Sequence, residues 1–142
     1  MLYLHGLGHF HPENVITNRF LEELDIESSE QWILERVGIR TRHTNLPLDY
    51  IKTTKNQDTR AACEAGLYTN AQSGARAASL ALERAGLKPE DVGMVVSGSS
   101  APDYVIPAEA AIVAAELGID VLCFDLNSAC STLACSSNFC PI

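Results

Sequence analysis

Short apolar runs alternate with helical segments through the second half of this 142-residue sequence. The pattern predicts a helix over residues 72–85, a strand over 92–97, a helix over 107–118 and a strand over 121–126. The apolar run inside the strand at 92–97 indicates burial on both of its faces. Because strands and helices alternate, the sequence predicts an α/β domain with a mostly parallel, mixed central sheet and helices on both faces.

The first half of the sequence shows weaker patterns. A short strand and three helices are expected there, over residues 2–4, 17–24, 29–37 and 59–68. The sequence at 28–31 is a capping-box pattern, in which Ser28 stands at the cap and Gln31 follows three residues later. Residues 41–57 are polar, with Asn45 and Pro47 among them, and we expect an exposed segment that can move.

The charge and composition argue against several classes of protein. The formal net charge is −8 and no local cluster of lysine or arginine offsets it, which argues against a nucleic-acid partner. No apolar run reaches the roughly 18 residues that a membrane span needs, and the N-terminus lacks the regions of a signal peptide. We therefore expect a cytoplasmic domain that has neither a membrane nor a nucleic acid as partner.

The cysteines indicate reduced thiols rather than a disulfide framework or a metal site. The sequence has 5 cysteines, an odd number, and no pair has the Cys-x-x-Cys spacing. Cys130, Cys135 and Cys140 follow one another at equal intervals that rotate each by roughly 140° from the last on a helix. They cannot converge on one ion, so no metal site is expected.

The strongest chemical signal lies in residues 125–132, which place Cys130 after an apolar strand and at the beginning of a helix. The partial positive charge at such a position favours a thiolate and can stabilise an oxyanion nearby. A free cysteine is also among the most buried residue types, so the segment alone leaves a nucleophile and a packing residue as equal alternatives. Asp125 is expected to fix the loop backbone rather than to act as a base.

A second signal is the pair Trp32 and Arg36, which share one face of a helix because they are four residues apart. An aromatic ring beside a guanidinium group can stack a nucleotide base and bind a phosphate. The alternative is a half-buried tryptophan covered by the arginine stem, and the spacing alone favours that alternative.

These motifs together resemble a known family. The string Trp-Ile-x-x-Arg-x-Gly-Ile-Arg-x-Arg-His begins at Trp32, and the Ala-Cys turn ends at Cys130. Further matches cover residues 6–8, 28–31, 85–87, 99–101, 106–108, 117–119 and 125–128. The sequence resembles the N-terminal half of β-ketoacyl-acyl-carrier-protein synthase III, a condensing enzyme of the thiolase superfamily. The resemblance implies a thiolase-like fold, with residues 1–142 as a truncated N-terminal half-domain.

The resemblance also implies a role for individual residues. Cys130 would be the nucleophile that accepts an acyl group from an acyl-coenzyme A. Trp32 and Arg36 would bind the adenine end of coenzyme A, and Ser28 would border the same nucleotide site. Ile106 would reach across a homodimer and limit the acyl pocket.

By the same resemblance the acylated enzyme decarboxylates malonyl-acyl-carrier protein and forms a β-ketoacyl product in fatty acid biosynthesis. Coenzyme A thioester is then a substrate, and no permanently bound cofactor is expected. The stretch at about residues 44–70 is longer than the usual connection and is expected to be an exposed insertion. The histidine and asparagine that drive decarboxylation lie in a C-terminal half that we expect to be absent, so the chain alone is expected to be inactive in condensation.

The C-terminal sequence departs from the family pattern, and two other functions remain open at this point. After Thr132 the sequence drifts from the family pattern, and Pro141 is expected to break the helix, as in a truncated or frameshifted reading. One alternative function is a cysteine-dependent thioester hydrolase that uses Cys130 with a local histidine. The other is a non-catalytic half-domain that binds coenzyme A or a partner subunit through Trp32.

Overall fold

The computed structural model describes residues 3–139, which divide into two compact units. The middle unit is His11–Tyr68, and the α/β unit contains residues 3–10 together with residues 69–139. Within the described residues the strands form two two-stranded sheets, one in each unit. The expected α/β class is confirmed, although each sheet is smaller than the single central sheet that the alternation predicted.

The middle unit combines an antiparallel strand pair with four helices. Its elements are β1 (Asn14–Thr17), α1 (Asn18–Glu23), α2 (Glu30–Val37), β2 (Thr41–Thr44), α3 (Leu48–Thr54) and α4 (Thr59–Ala65). Strand β1 pairs with β2 so that Asn14 faces Thr44. The core contains Phe20, Leu24 and Ile51, which α1, its C-terminal end and α3 bring together. Burial of these three side chains is the main source of stability for a unit of this size.

A buried asparagine fixes the strand pair to α1. The side chain of Asn18 is 2% exposed, and its amide nitrogen donates to the carbonyl of Ile39 at 2.8 Å. Its amide oxygen accepts from the guanidinium of Arg42 at 2.9 Å. Both functions of the amide are therefore paired, as a buried polar side chain requires. The sequence analysis did not single out Asn18, because its partners lie more than twenty residues away along the chain.

The α/β unit contains three α-helices and a parallel strand pair. Its elements are α5 (Asn70–Ala85), β3 (Met94–Ser97), α6 (Glu109–Glu116), β4 (Leu122–Asp125) and α7 (Thr132–Phe139), with 3₁₀ turns at Pro89–Asp91 and Ala129–Ser131. Strand β3 pairs with β4 in parallel, with Val95 opposite Cys123. Helix α6 connects the two strands, as a parallel pair requires. These bounds agree within a few residues with the helices and strands predicted for this half.

Helix α5 is rich in small residues, and Ala77 and Ala81 lie where the N-terminal segment crosses it. It begins at a capping box formed by Thr69 and Gln72 and ends at Gly86, whose φ is 68°. The N-terminal segment crosses it so closely that a β-carbon at Gly8 would collide with the carbonyl of Ala77. Glycine is required at that position because a larger residue would separate the segment from the helix.

The prediction of a short strand at residues 2–4 is wrong for the two residues that the structure describes, because residues 3 and 4 belong to no strand. Residue 2 lies outside the described residues. A strand needs a neighbouring strand for its backbone hydrogen bonds, and the segment packs on a helix through its glycines instead. The positions of Cys140 and Pro141, and thus the expected break in α7, also lie outside the described residues.

The polar stretch at 41–57 contains β2 and α3 rather than a continuous loop. Helix α3 is stabilised by the core, because its buried residue Ile51 packs against Phe20 and Leu24. Across residues 44–70 most side chains are exposed or half-buried, with Ile51 and Ala62 as buried residues. That this segment is an insertion stays a prediction. Among the described residues no helix is both long and apolar enough to cross a membrane.

Candidate active site

Cys130 lies in the connection between β4 and α7, as the sequence predicted. Strand β4 ends at Asp125, the 3₁₀ turn covers Ala129–Ser131, and α7 begins at Thr132. The thiol is free and its residue is exposed. In the described structure this thiol is not a packing residue, and its role as a nucleophile stays a prediction. Cys123, by contrast, is half-buried in β4.

Side chains on both sides of Cys130 hold the turn in place. The hydroxyl of Thr132 accepts from the backbone N–H of Ser128 at 2.8 Å and donates to the carbonyl of Ala129 at 2.9 Å. The side-chain oxygen of Asn127 accepts from the N–H of Ala129 at 2.9 Å. Ala129 has a φ of 45°, a left-handed conformation that costs an alanine about 1–2 kcal/mol. These hydrogen bonds offset that cost and determine where the next residue, Cys130, is placed.

Asp125 fixes the beginning of α6. Its two carboxylate oxygens accept from the backbone N–H groups of Glu109 and Ala110, both at 2.8 Å. The residue at the cap position, Ala108, has no side-chain acceptor, so Asp125 replaces it from the end of the neighbouring strand. Asp125 therefore fixes backbone, as the sequence analysis expected, but at the start of α6 and not in the loop that follows β4. It links the end of β4, from which the Cys130 turn continues, to α6.

Glu109 is the residue near this site that sequence reasoning missed. Its side chain is in the buried class, with 6% of the residue exposed, and one carboxylate oxygen has no hydrogen-bond partner. Burial raises the pKa of Glu109 above 4.5, the carboxylates of Asp103 and Asp125 raise it further, and a hydrogen bond with Ser99 lowers it. The carboxyl group therefore favours its neutral form more than an ordinary glutamate does. The sequence Pro-Ala-Glu-Ala at the start of a helix gives no signal that distinguishes a buried glutamate from a solvated one.

Glu109 also lines a cavity of about 200 Å³ in the α/β unit. The lining residues are Thr69, Ala71, Asp103, Tyr104, Glu109, Ile112 and Glu116. Three of these lining residues carry a carboxyl group, Asp103, Glu109 and Glu116. The described residues contain no cluster of histidine, cysteine, aspartate and glutamate that could hold a metal ion.

Ile106 lies in the loop between β3 and α6 and is 85% exposed. Its neighbour Val105 is 91% exposed, and Tyr104 is exposed as well. Asp103 in the same loop accepts a hydrogen bond from the backbone N–H of Asn70 at 2.9 Å, and this bond fixes that part of the loop to the start of α5. Consecutive exposed apolar side chains on a fixed loop are typical of an interaction surface. The role of Ile106 in an acyl pocket stays a prediction.

Trp32 and Arg36 lie in α2 of the middle unit, and both are exposed, Trp32 to 52%. Ile33 is buried on another face of the helix, whereas Val37 is exposed. The ring of Trp32 is therefore available for stacking. Arg36 lies in the last turn of α2, where a positive charge is favourable.

The cap of α2 lies one residue later than the sequence pattern placed it. The hydroxyl of Ser29, not Ser28, accepts from the N–H of Trp32 at 3.1 Å. The reason is that the helix begins at Glu30, so the third helical residue is Trp32 rather than Gln31. Ser28 is half-buried. Because Ser29 caps the helix, Ser28 is not used for capping, and it lies at the surface beside Trp32.

Ser28 and Trp32 both line a surface cavity of about 440 Å³. The other lining residues are Glu22, Asp25, Glu27 and Ser29. The cavity thus combines an aromatic ring and two hydroxyl-bearing residues with three carboxylate side chains. Carboxylates repel phosphate, so a nucleotide base suits this cavity better than a phosphate group does.

Comparison with known proteins gives consistent results in sequence and structure, although no family model matches the chain. The chain is 36% identical over 129 residues to the β-ketoacyl-[acyl-carrier-protein] synthase III of Sphingopyxis alaskensis, covering 90% of this chain and 34% of that protein. It is 32% identical over 128 residues to the protein of the same name in a Sulfurovum species, covering 89% of this chain and 32% of that protein.

Solved structures show the same likeness. The 3-oxoacyl-[acyl-carrier-protein] synthase III from Aquifex aeolicus matches with a TM-score of 0.75 and 28% identity, over 94% of this chain and 37% of that chain. The priming β-ketosynthase of the R1128 polyketide pathway matches with a TM-score of 0.73 and 27% identity, over 94% of this chain and 34% of that chain. The chain therefore spans about one third of the length of the relatives it matches. The resemblance and the thiolase-like fold expected from the sequence are confirmed.

Proposed function

This chain is a homologue of the β-ketoacyl-[acyl-carrier-protein] synthases III, and on that basis we propose that it is the acyl-accepting part of a condensing acyltransferase of fatty acid synthesis. The observation that supports this most directly is the placement of Cys130. It is an exposed, free cysteine in a turn that hydrogen bonds hold between β4 and α7. The order of strand, turn and helix gives a nucleophile both access and support.

The proposed step is transfer of an acyl group from coenzyme A to Cys130. The thiolate attacks the thioester carbonyl carbon, forming a new carbon–sulfur bond and a tetrahedral oxyanion. The oxyanion collapses, the bond to the sulfur of coenzyme A breaks, and coenzyme A leaves as a thiolate that takes up a proton. The product is an acyl thioester on Cys130. Backbone N–H groups at the turn are the groups that can stabilise the oxyanion.

We propose that α2 binds the nucleotide end of coenzyme A. The exposed ring of Trp32 stacks on the adenine, with Ser28 beside it in the same cavity. Because acidic side chains line that cavity, the phosphates belong on the side of Arg36, which is exposed and lies outside the lining. Coenzyme A thioester is thus a substrate in this proposal, and no permanently bound cofactor is required.

The second half of the reaction belongs to the whole enzyme. Malonyl-acyl-carrier protein is decarboxylated, and its carbanion takes the acyl group from Cys130 to give a β-ketoacyl product. In a homodimer, Ile106 of one chain limits the acyl pocket of the other. The exposure of Val105 and Ile106 supports a surface that another chain covers.

The experiment that tests the first step measures the thiol released from acetyl- to octanoyl-coenzyme A by the purified chain. We expect one equivalent of coenzyme A per chain with the best acyl length, and none from Cys130→Ala. Cys63→Ala is the matched control, because Cys63 is also exposed and free. Release from Cys130→Ala at the wild-type rate would contradict the proposal.

The two alternative functions give different results in the same experiment. A thioester hydrolase would release many equivalents of coenzyme A with the free acid as product. A non-catalytic domain would bind coenzyme A in a Trp32-dependent way without release. With malonyl-acyl-carrier protein added, we expect no β-ketoacyl product from the 142-residue chain, because decarboxylation is assigned to a part of the enzyme outside it.

A further inference from the structure

The hydroxyl group of Thr132 occupies a bridging position in the Cys130 turn. It accepts the N–H of Ser128 at 2.8 Å, two residues before the cysteine, and donates to the carbonyl of Ala129 at 2.9 Å, one residue before it. The N–H of Ser131, on the other side of Cys130, donates to the carbonyl of Ser128 at 3.0 Å. One side-chain oxygen therefore joins the first turn of α7 to the backbone that leads into Cys130.

The end of β3 is shaped to accept this threonine. A β-carbon at Gly98, directly after β3, would collide with the Cγ2 methyl of Thr132. The next atoms it would meet are the carbonyl oxygen of Leu126 and the Cβ of Thr132, both at 3.5 Å, which is ordinary contact. The methyl group of Thr132 thus occupies the space beside Gly98 that a side chain at that position would fill. Its rotamer is set by packing, and this directs the hydroxyl toward Ser128 and Ala129.

We propose that Thr132 is a positioning residue for acylation of Cys130. It does not touch the substrate. It keeps Ala129 in its left-handed conformation, and Ala129 sets the direction from which Cys130 meets a thioester. The inference rests on the proposed function, because it assigns no role to Thr132 unless Cys130 accepts an acyl group.

The test compares two substitutions that separate the hydroxyl from the methyl group. Thr132→Val keeps the shape and removes both hydrogen bonds, whereas Thr132→Ser keeps the hydroxyl. We expect the maximal rate of Cys130 acylation to fall by at least about five-fold in Thr132→Val, the factor that one net hydrogen bond of ordinary strength provides, with the half-saturating acyl-coenzyme A concentration unchanged. Thr132→Ser should stay within twofold of the wild type.

A small reagent and a matched control distinguish positioning from loss of structure. Alkylation by iodoacetamide needs no particular approach, so it should change less than twofold in Thr132→Val, and circular dichroism should match the wild type. The control is Thr53→Val, which removes a helical hydroxyl whose bond to the carbonyl of Asp49 is 2.8 Å. It should change neither rate.

The glycine provides an independent arm. Gly98→Ala should slow acylation because its methyl group displaces Thr132, and adding Thr132→Ser should restore the rate because the colliding Cγ2 is gone. Suppose that the wild-type chain is acylated, but Thr132→Val is acylated just as fast or Gly98→Ala with Thr132→Ser is no faster than Gly98→Ala. Either result would overturn the positioning role and leave the proposed function standing. A wild-type chain that coenzyme A thioesters do not acylate would refute the proposed function, and the positioning role with it.

Discussion

Replacing Asp125 with asparagine tests whether the α6 cap stabilises the α/β unit. The carboxylate accepts two backbone N–H groups at 2.8 Å, those of Glu109 and Ala110. Asparagine keeps one oxygen acceptor, but its NH₂ group faces the other N–H, so one of the two bonds is lost. The loss of a helix-capping acceptor costs about 0.5–2 kcal/mol. Removing the negative charge beside Glu109 offsets a part of this, since that charge raises the pKa of Glu109.

We therefore expect Asp125→Asn to lower the free energy of unfolding by about 1 kcal/mol at neutral pH. In urea this corresponds to a midpoint lower by roughly 0.5 M for a chain of this size. The assay is urea unfolding followed by far-ultraviolet circular dichroism, with Asp120→Asn as the control because Asp120 is exposed and precedes β4. Equal midpoints for the wild type and Asp125→Asn would refute the capping argument.

Three further substitutions test other parts of the account. Folding raises the pKa of Glu109 above 4.5, so the stability that Glu109 contributes is fully present below pH 4.5 and is lost as the pH rises through the raised pKa. Glu109→Gln should therefore become more stable relative to the wild type as the pH rises through that range. A difference in urea midpoints that does not change with pH would refute this. Gly8→Ala should destabilise the chain by about 1–3 kcal/mol through its collision with Ala77, whereas Gly93→Ala, which meets no atom within 4 Å, should be nearly neutral in the same assay. Asn18→Ala should cost about 1–2 kcal/mol by removing the two hydrogen bonds of its buried amide, and a thermal midpoint equal to that of the wild type would contradict that role.

The elements predicted well are those whose signals are local. Helix α5 has a capping box at one end, glycine at the other and a small-residue face between them. The turn around Cys130 follows an apolar strand and precedes a helix, and both neighbours were recognisable from composition. Asp125 is different, because the N–H groups that it binds, those of Glu109 and Ala110, lie 16 and 15 residues away along the chain.

The features that the sequence analysis missed depend on contacts between distant residues. Strands β1 and β2 consist largely of polar residues and become strands by pairing with each other, with Asn14 opposite Thr44. Glu109 differs from a solvated acid because folding buries it and also brings Asp103 and Asp125 close to it. The cap of α2 shifted from Ser28 to Ser29 because the boundary of a helix depends on packing as well as on its capping pattern.

The most direct test of the central claim is the mass of the intact chain after incubation with an acyl-coenzyme A, followed by peptide mapping. We predict a single acyl group per chain, located on the peptide that contains Cys130, with no adduct in Cys130→Ala and an unchanged adduct in Cys63→Ala. An acyl group located on Cys63 or Cys135, or equal labelling of several cysteines, would contradict the claim that Cys130 is the acyl acceptor.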